Sequence, residues 1–266
     1  MPAALTQIHR STDRFVTTID WLHGRHSFSF GPHYDPHNTH HGLLLVNNED
    51  VVKPGTGFRT HPHQDMEIVT WVLDGELEHK DTLGNKGIIY PGLAQRMSAG
   101  TGIWHSEMCP ARSARNENRA EGDPAHGEAT NPSGDQPVHF VQMWVVPDTE
   151  RINPAYQQLD INAQIAKGGL VPLASGRGHD AAISIRQKDA VLSVGRLTPG
   201  ETVTVPDARF VHVFVPKGAV ELEGVGRIEA GDSVRLTAAG SRTLTADAAM
   251  GAEVLVWEMN SHLRGW

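Results

Sequence analysis

Two histidines one residue apart, His61 and His63 around Pro62, are answered some forty residues later by a second short-spaced pair, His105 and Glu107 around Ser106. In a β-strand the side chains at i and i+2 point to the same face, so each pair can aim two groups inward. If the two strands meet inside a barrel, three imidazoles and one carboxylate converge. Neutral imidazole with carboxylate suits a divalent first-row metal: iron, manganese, nickel, copper or zinc. A coordination position left open beside those four ligands makes such a site chemical rather than structural.

The elements that must position these residues read as short strands. Glycine (27 residues) and proline (16) punctuate the chain and leave β-like runs at Leu43–Val46, Glu67–Leu73, Glu76–His79, Gly87–Tyr90 and Phe140–Val146. Further runs follow at Ala181–Ile185, Val191–Leu197, Val211–Val215, Val220–Leu222, Val234–Leu236 and Val254–Glu258. Asp74-Gly75 reads as a hairpin turn, and Leu83–Gly87 as another. Many short strands between turns indicate a sandwich or barrel. Asn153–Ile165, with Pro154 in its first turn, is the expected helix. The stretch from Ala111 to Pro137 is polar and nearly free of apolar residues, which predicts a long mobile surface loop, tolerated as an insertion rather than serving as a lid.

The chain of 266 residues allows one large or two modest domains. Its halves resemble each other weakly. Aligned on their turn glycines, His61 falls opposite Thr204, His63 opposite Pro206, Glu67 opposite Phe210 and His105 opposite Leu244, so the second half repeats the fold without the ligands. The net charge of −8, without a basic stripe, argues against direct nucleic-acid binding. No apolar run approaches the roughly 20 residues of a membrane span. The first ten residues carry no secretory signal, and the one cysteine, Cys109, suits a reducing compartment. A cytoplasmic location is expected, or a nuclear one if the source is eukaryotic.

The block HPHQDMEIVTWVLDGELEHKDTLGNKGIIYPGLAQRMSAGTGIWHSE, from His61 to Glu107, resembles the signature of the pirin family within the cupin superfamily. Trp21–Asp35 (WLHGRHSFSFGPHYD) and Gly55–Phe58 fit the same pattern. The resemblance is specific over about Trp21–Glu107 and weaker from Phe140 onward; the 111–137 segment has no counterpart in it. It implies an all-β bicupin: two facing jelly-roll barrels, the metal in the N-terminal one only. The corresponding division is 1–150 for the metal-binding cupin domain and 151–266 for a degenerate one. The ligands implied are His61, His63, His105 and Glu107, with iron the usual metal and manganese, nickel, copper or zinc as alternatives.

Glu67 shares the parity of His61 and His63, and a His-x-His-x3-Glu spacing fits the general cupin pattern. The pirin pattern uses Glu107 instead, which leaves Glu67 to orient a ligating imidazole. The family includes quercetin 2,3-dioxygenases, so the implied function is oxygenation of a flavonol-like aromatic enol such as quercetin by O2, with Glu107 as the base. The alternative is a non-catalytic metal-dependent regulator or redox sensor that binds other proteins. A structural zinc site is a weaker third reading, because such sites more often use thiolates. Phe58, Met66, Trp71, Met97 and Trp104 are candidates for an aromatic pocket or, for most of them, simply core. Cys109 reads as a small buried hydrophobe, His79 and His139 as structural, and His33, His37, His40 and His41 as a polar surface loop.

Overall fold

The structure is a computed structural model that describes residues 4–111 and 136–263, so most of the polar 111–137 segment lies outside the described residues. The punctuated runs do form strands. In the first half they are β1 (Leu5–His9), β2 (Phe15–Thr18), β3 (Leu22–His26), β4 (Leu44–Val52), β5 (Gly57–His63), β6 (Glu67–Asp74), β7 (Leu77–Asp81), β8 (Lys86–Ile89), β9 (Leu93–Ser98), β10 (Ile103–Met108), β11 (Val138–Val145) and β12 (Ala155–Asp160). In the second they are β13 (Val171–Ser175), β14 (Ile183–Ser184), β15 (Ala190–Leu197), β16 (Thr202–Val205), β17 (Phe210–Leu222), β18 (Gly226–Glu229), β19 (Ser233–Thr237), β20 (Arg242–Ala246) and β21 (Ala252–Met259).

Strands β2–β12 close the first barrel from a seven-stranded sheet, in the order β12-β9-β6-β11-β4-β3-β2, and a four-stranded sheet, β5-β10-β7-β8. The Leu83–Gly87 turn joins the paired strands β7 and β8 as expected. Asp74-Gly75 does not make a hairpin. It carries the chain from β6 in one sheet to β7 in the other, with Gly75 at φ 78° and backed against the Pro137 carbonyl. A local turn signal fixes where the chain reverses but not which sheet receives the next strand.

The expected helix over Asn153–Ile165 is mostly an edge strand. Ala155–Asp160 pairs along β9, and only α1 (Asn162–Ile165) is helical. AYQQLD carries no apolar stripe of its own, and the open edge of β9 decides its conformation. β1 adds to the second-half sheet beside β19 although it begins the first half of the sequence.

In the second half, β16 and β20 pair as β5 and β10 do in the first, with Val203 opposite Leu244 and Thr204 opposite Thr243. Its interior is filled by Val205, Val211, Val213, Val220, Leu222, Leu244 and Val256. The barrels face each other across a shared apolar core in which Leu44, Val69, Trp71, Met143 and Val145 meet Leu192, Phe214, Leu255, Trp257 and Met259. Trp71, weighed for a substrate pocket, is fully buried there and donates its indole N–H to Glu253 at 2.6 Å.

Candidate metal centre

β5 and β10 run antiparallel with His61 directly opposite His105 and His63 opposite Ile103. The strand parity expected for His61 and His63 therefore holds, and both rings meet that of His105. The ring centroids lie 4.5 Å apart for His61 and His105, 4.8 Å for His61 and His63, and 4.9 Å for His63 and His105. One nitrogen from each ring falls within 4.8 Å of the others, the only such group of ligand-type side chains among the described residues.

The register shifts between His105 and Glu107, which lie opposite His61 and Phe58, so β5 holds one extra residue. The bulge turns Phe58 inward, where it packs edge-on against Trp21 at 5.2 Å on the apolar floor of the barrel. At the end of the same strand, Gly57 has φ 151°, and a Cβ there would lie 2.2 Å from the Glu107 carbonyl oxygen. Only glycine lets β5 come this close to β10.

Hydrogen bonds fix which nitrogen of each ring is free. His61 donates Nδ1–H to the Arg59 carbonyl at 2.7 Å, since a carbonyl can only accept. Asp81 accepts from Asn85 and from His79 Nε2, the latter at 3.2 Å. Burial opposes its ionisation, yet the hydrogen bonds from Asn85 and His79 hold its carboxyl below the usual range. With Nε2 of His79 donating, its Nδ1 is an acceptor and takes the Nδ1–H of His105 at 3.5 Å. With each Nδ1–H engaged elsewhere, the Nε2 atoms of His61 and His105 face each other at 3.1 Å. His63 Nε2 is buried and has no hydrogen-bond partner. Burial first, then the neighbouring histidines, pushes protonation of His105 down to about 3 and of His63 to about 4, so both rings are neutral at pH 7. Two imidazole nitrogens aimed at each other at this distance call for a cation between them, and three such nitrogens beside a carboxylate are a donor set that fits a divalent metal.

Glu107 is buried with Oε2 4.0 Å from His105 Nε2. The Gln142 amide reaches both of its oxygens, at 2.8 and 2.9 Å, and the Trp144 indole N–H fixes that amide by donating to its carbonyl at 2.9 Å. The Trp144 ring stands edge-on to His63 at 4.8 Å and meets Phe30 at 5.6 Å. Deeper in the barrel, burial and the charge of Glu107 raise the Asp50 carboxyl to about 7.

Glu67 does not orient a ligating imidazole. It accepts from Ser98 Oγ at 2.9 Å and from the Arg186 backbone N–H at 3.1 Å, on the side facing the second barrel. Between His63 and Glu67 the chain leaves the strand, with Asp65 at φ 45°, so parity counted through the break does not apply. Met97 is core beside Ile68, and Trp104 is exposed. Cys109 packs in the apolar floor. His139 pairs with Glu49 at 2.9 Å. Of the histidine-rich loop, His41 is buried against the second barrel. Gln142, Trp144 and the stack of Tyr156 on His79 (4.7 Å) went unforeseen: a lone Gln or Trp on a strand carries no chemical signal, and Tyr156 sits in the segment read as helix.

The Pirin family profile matches residues 9–145, and a second, described as the quercetinase C-terminal cupin domain, matches residues 172–259. The chain belongs to the pirin family. This pirin is 53% identical over 98% of its length, and 97% of the relative's, to a Mycobacterium tuberculosis protein provisionally named a quercetin 2,3-dioxygenase. It is 32% identical to the Escherichia coli protein named quercetin 2,3-dioxygenase, over 95% of this chain and 97% of that one. The crystal structure of the bacterial pirin YhhW from Escherichia coli in complex with nickel(II) superposes with a TM-score of 0.80, at 30% identity, covering 97% of this chain and all of that one. The expected all-β bicupin architecture is thereby established. Among the described residues no helix is long and apolar enough to cross a membrane.

Proposed function

We propose that this pirin is a metal-dependent dioxygenase, an oxidoreductase that uses O2 on a flavonol-like aromatic enol such as quercetin. The observation that carries the reading is the meeting of His61 Nε2 and His105 Nε2 at 3.1 Å, beside the unpartnered His63 Nε2 and the carboxylate of Glu107. These four residues would hold one metal. Iron suits three imidazoles and a carboxylate, and manganese, nickel, copper and zinc are the alternatives. The chemistry is assigned to the 1–150 half; the aliphatic interior of the 151–266 half supports a structural role for it. The names of the full-length relatives support the substrate class.

A metal held there would supply Lewis acidity toward the substrate oxygen and O2. Glu107 then takes the hydroxyl proton of the enol, its carboxylate steadied by Gln142. The Trp144 ring, beside His63, offers a flat apolar surface for an aromatic ring at the reacting end of the barrel. His79 and Asp81 hold His105 in the tautomer that leaves Nε2 free.

The test is oxygen uptake by iron-loaded protein given quercetin, against metal-free protein. Metal-dependent consumption of O2 with loss of the flavonol is expected; equal rates in the two samples overturn the reading.

A further inference from the structure

A second cluster of polar groups lies where the two barrels meet, remote in sequence from the histidine pairs. β19 runs between β1 and β17, with His9 opposite Ser233 and His212 opposite Arg235. Ser233 and Arg235 are two residues apart, so both face the first barrel, as do their lateral neighbours on the adjoining strands. Arg235, His212 and Ser233 are almost wholly buried. Arg235 Nε, both ring nitrogens of His212, Ser233 Oγ and His9 Nε2 have no hydrogen-bond partner. Across the seam, Arg235 donates one N–H to the Ser27 carbonyl at 2.8 Å and stacks over the Phe28 ring at 4.2 Å.

Among the described residues no carboxylate pairs with the Arg235 guanidinium. Asp232, next to Ser233 in the chain, pairs with Arg10 at 2.7 Å, and Glu49 of the first barrel pairs with Arg14 and with His139. Burial lowers Arg235 only to about 10, so it stays cationic, while burial and its charge hold His212 and His41 neutral. A lone buried cation is costly unless paired. His212 stands about 5 Å from Arg235 across the ladder and Ser233 about 7 Å from it along the strand, and the neutral imidazole, the hydroxyl and Arg235 Nε each offer a donor.

We propose that this seam is a binding site for one small monovalent anion, of chloride or carboxylate size, held by Arg235, His212 and Ser233. One guanidinium charge calls for one negative charge, and water would satisfy the donors without neutralising it. Such an ion would tie β1 and the second barrel to the Ser27–Phe28 segment of the first. The assignment is independent of the metal reading.

The test is thermal melting of protein purified in gluconate, titrated with sodium chloride or with sodium acetate at constant ionic strength. A saturable rise of roughly 5 °C at a hundredfold excess over Kd is expected for whichever anion fits, and none in Arg235→Met. A rise with chloride alone identifies a halide site, and a rise with acetate a carboxylate site. No rise with either anion, or the same rise in Arg235→Met, overturns the proposal. Should that variant fail to fold, wild-type crystals soaked separately in bromide and in bromoacetate decide. An anomalous peak beside the Arg235 guanidinium and His212 in either soak supports the site, and bromine found only elsewhere in both overturns it.

Discussion

Nδ1 of His79 lies 3.5 Å from Nδ1 of His105 on the neighbouring strand. Asp81, on the far side of His79, sets the direction of both protons, so a buried carboxylate one imidazole behind His105 determines that its Nε2 faces the centre as a lone pair. Groups behind a ligating imidazole that fix its tautomer typically change metal affinity 10- to 100-fold when lost. His79→Phe should lower nickel(II) affinity by about that factor, measured by competition with a chromophoric chelator. His79→Gln, whose amide oxygen can accept from His105, should recover part of it. Unchanged affinity in His79→Phe would mean that the relay has no influence on the ligand.

Gln142 donates to both oxygens of Glu107, and among the described residues no other side chain does so. Gln142→Leu should cost the metal-free protein about 1–3 kcal/mol, the penalty for a buried acceptor left without its donor. In the nickel-loaded protein the carboxylate gains a cation, so the loss in urea-unfolding free energy should shrink. Equal losses with and without metal would place Glu107 outside the coordination sphere.

The ligand pairs were legible because β5 and β10 are regular where it matters: i and i+2 share a face, and His61 and His105 lie in register. The same rule misled at Glu67, where positive φ at Asp65 interrupts the strand before β6 begins. Groups that act through a second residue left no trace of this kind. Gln142, anchored by Trp144, reaches Glu107 from β11, in another sheet, and His79 is recognisable only once β7 is known to lie beside β10. Tyr156 was hidden by a helical reading of a segment whose conformation is set by the open edge of β9. Sheet assignment of this sort is a tertiary property, and a turn such as Asp74-Gly75 does not encode it.

Trp144 has two roles that can be separated. Its indole N–H anchors Gln142, and its ring flanks His63. Trp144→Phe keeps an aromatic surface and removes the hydrogen bond, whereas Trp144→Ala removes both. If the ring is the platform for the flavonol, KM for quercetin should rise about tenfold in Trp144→Ala, the equivalent of one aromatic contact. KM should change little in Trp144→Phe. Equal KM values across wild type and both variants would move the substrate away from this face.

Acid should weaken the junction between the barrels. Burial, reinforced by the Arg235 charge, lowers His41 to about 4, while its ring bonds the Leu236 carbonyl at 3.2 Å. An unfolded histidine titrates near 6.5, so between these values the unfolded chain binds the extra proton and the folded one does not. The contribution of His41 is therefore complete above about pH 6.5 and is lost as pH falls towards 4, on the order of 3 kcal/mol in all. Asp50 acts in the opposite sense. Raised to about 7 by burial and by Glu107, it favours the folded state most below the ordinary aspartate pKa and progressively less as pH rises to 7. The wild-type profile is thus a composite, and the difference from a variant isolates the histidine. His41→Gln keeps a donor for the Leu236 carbonyl without the titration, so its unfolding free energy should fall less steeply between pH 6.5 and 4. Parallel curves for the two proteins over that interval would show that His41 takes up its proton without cost in the folded state.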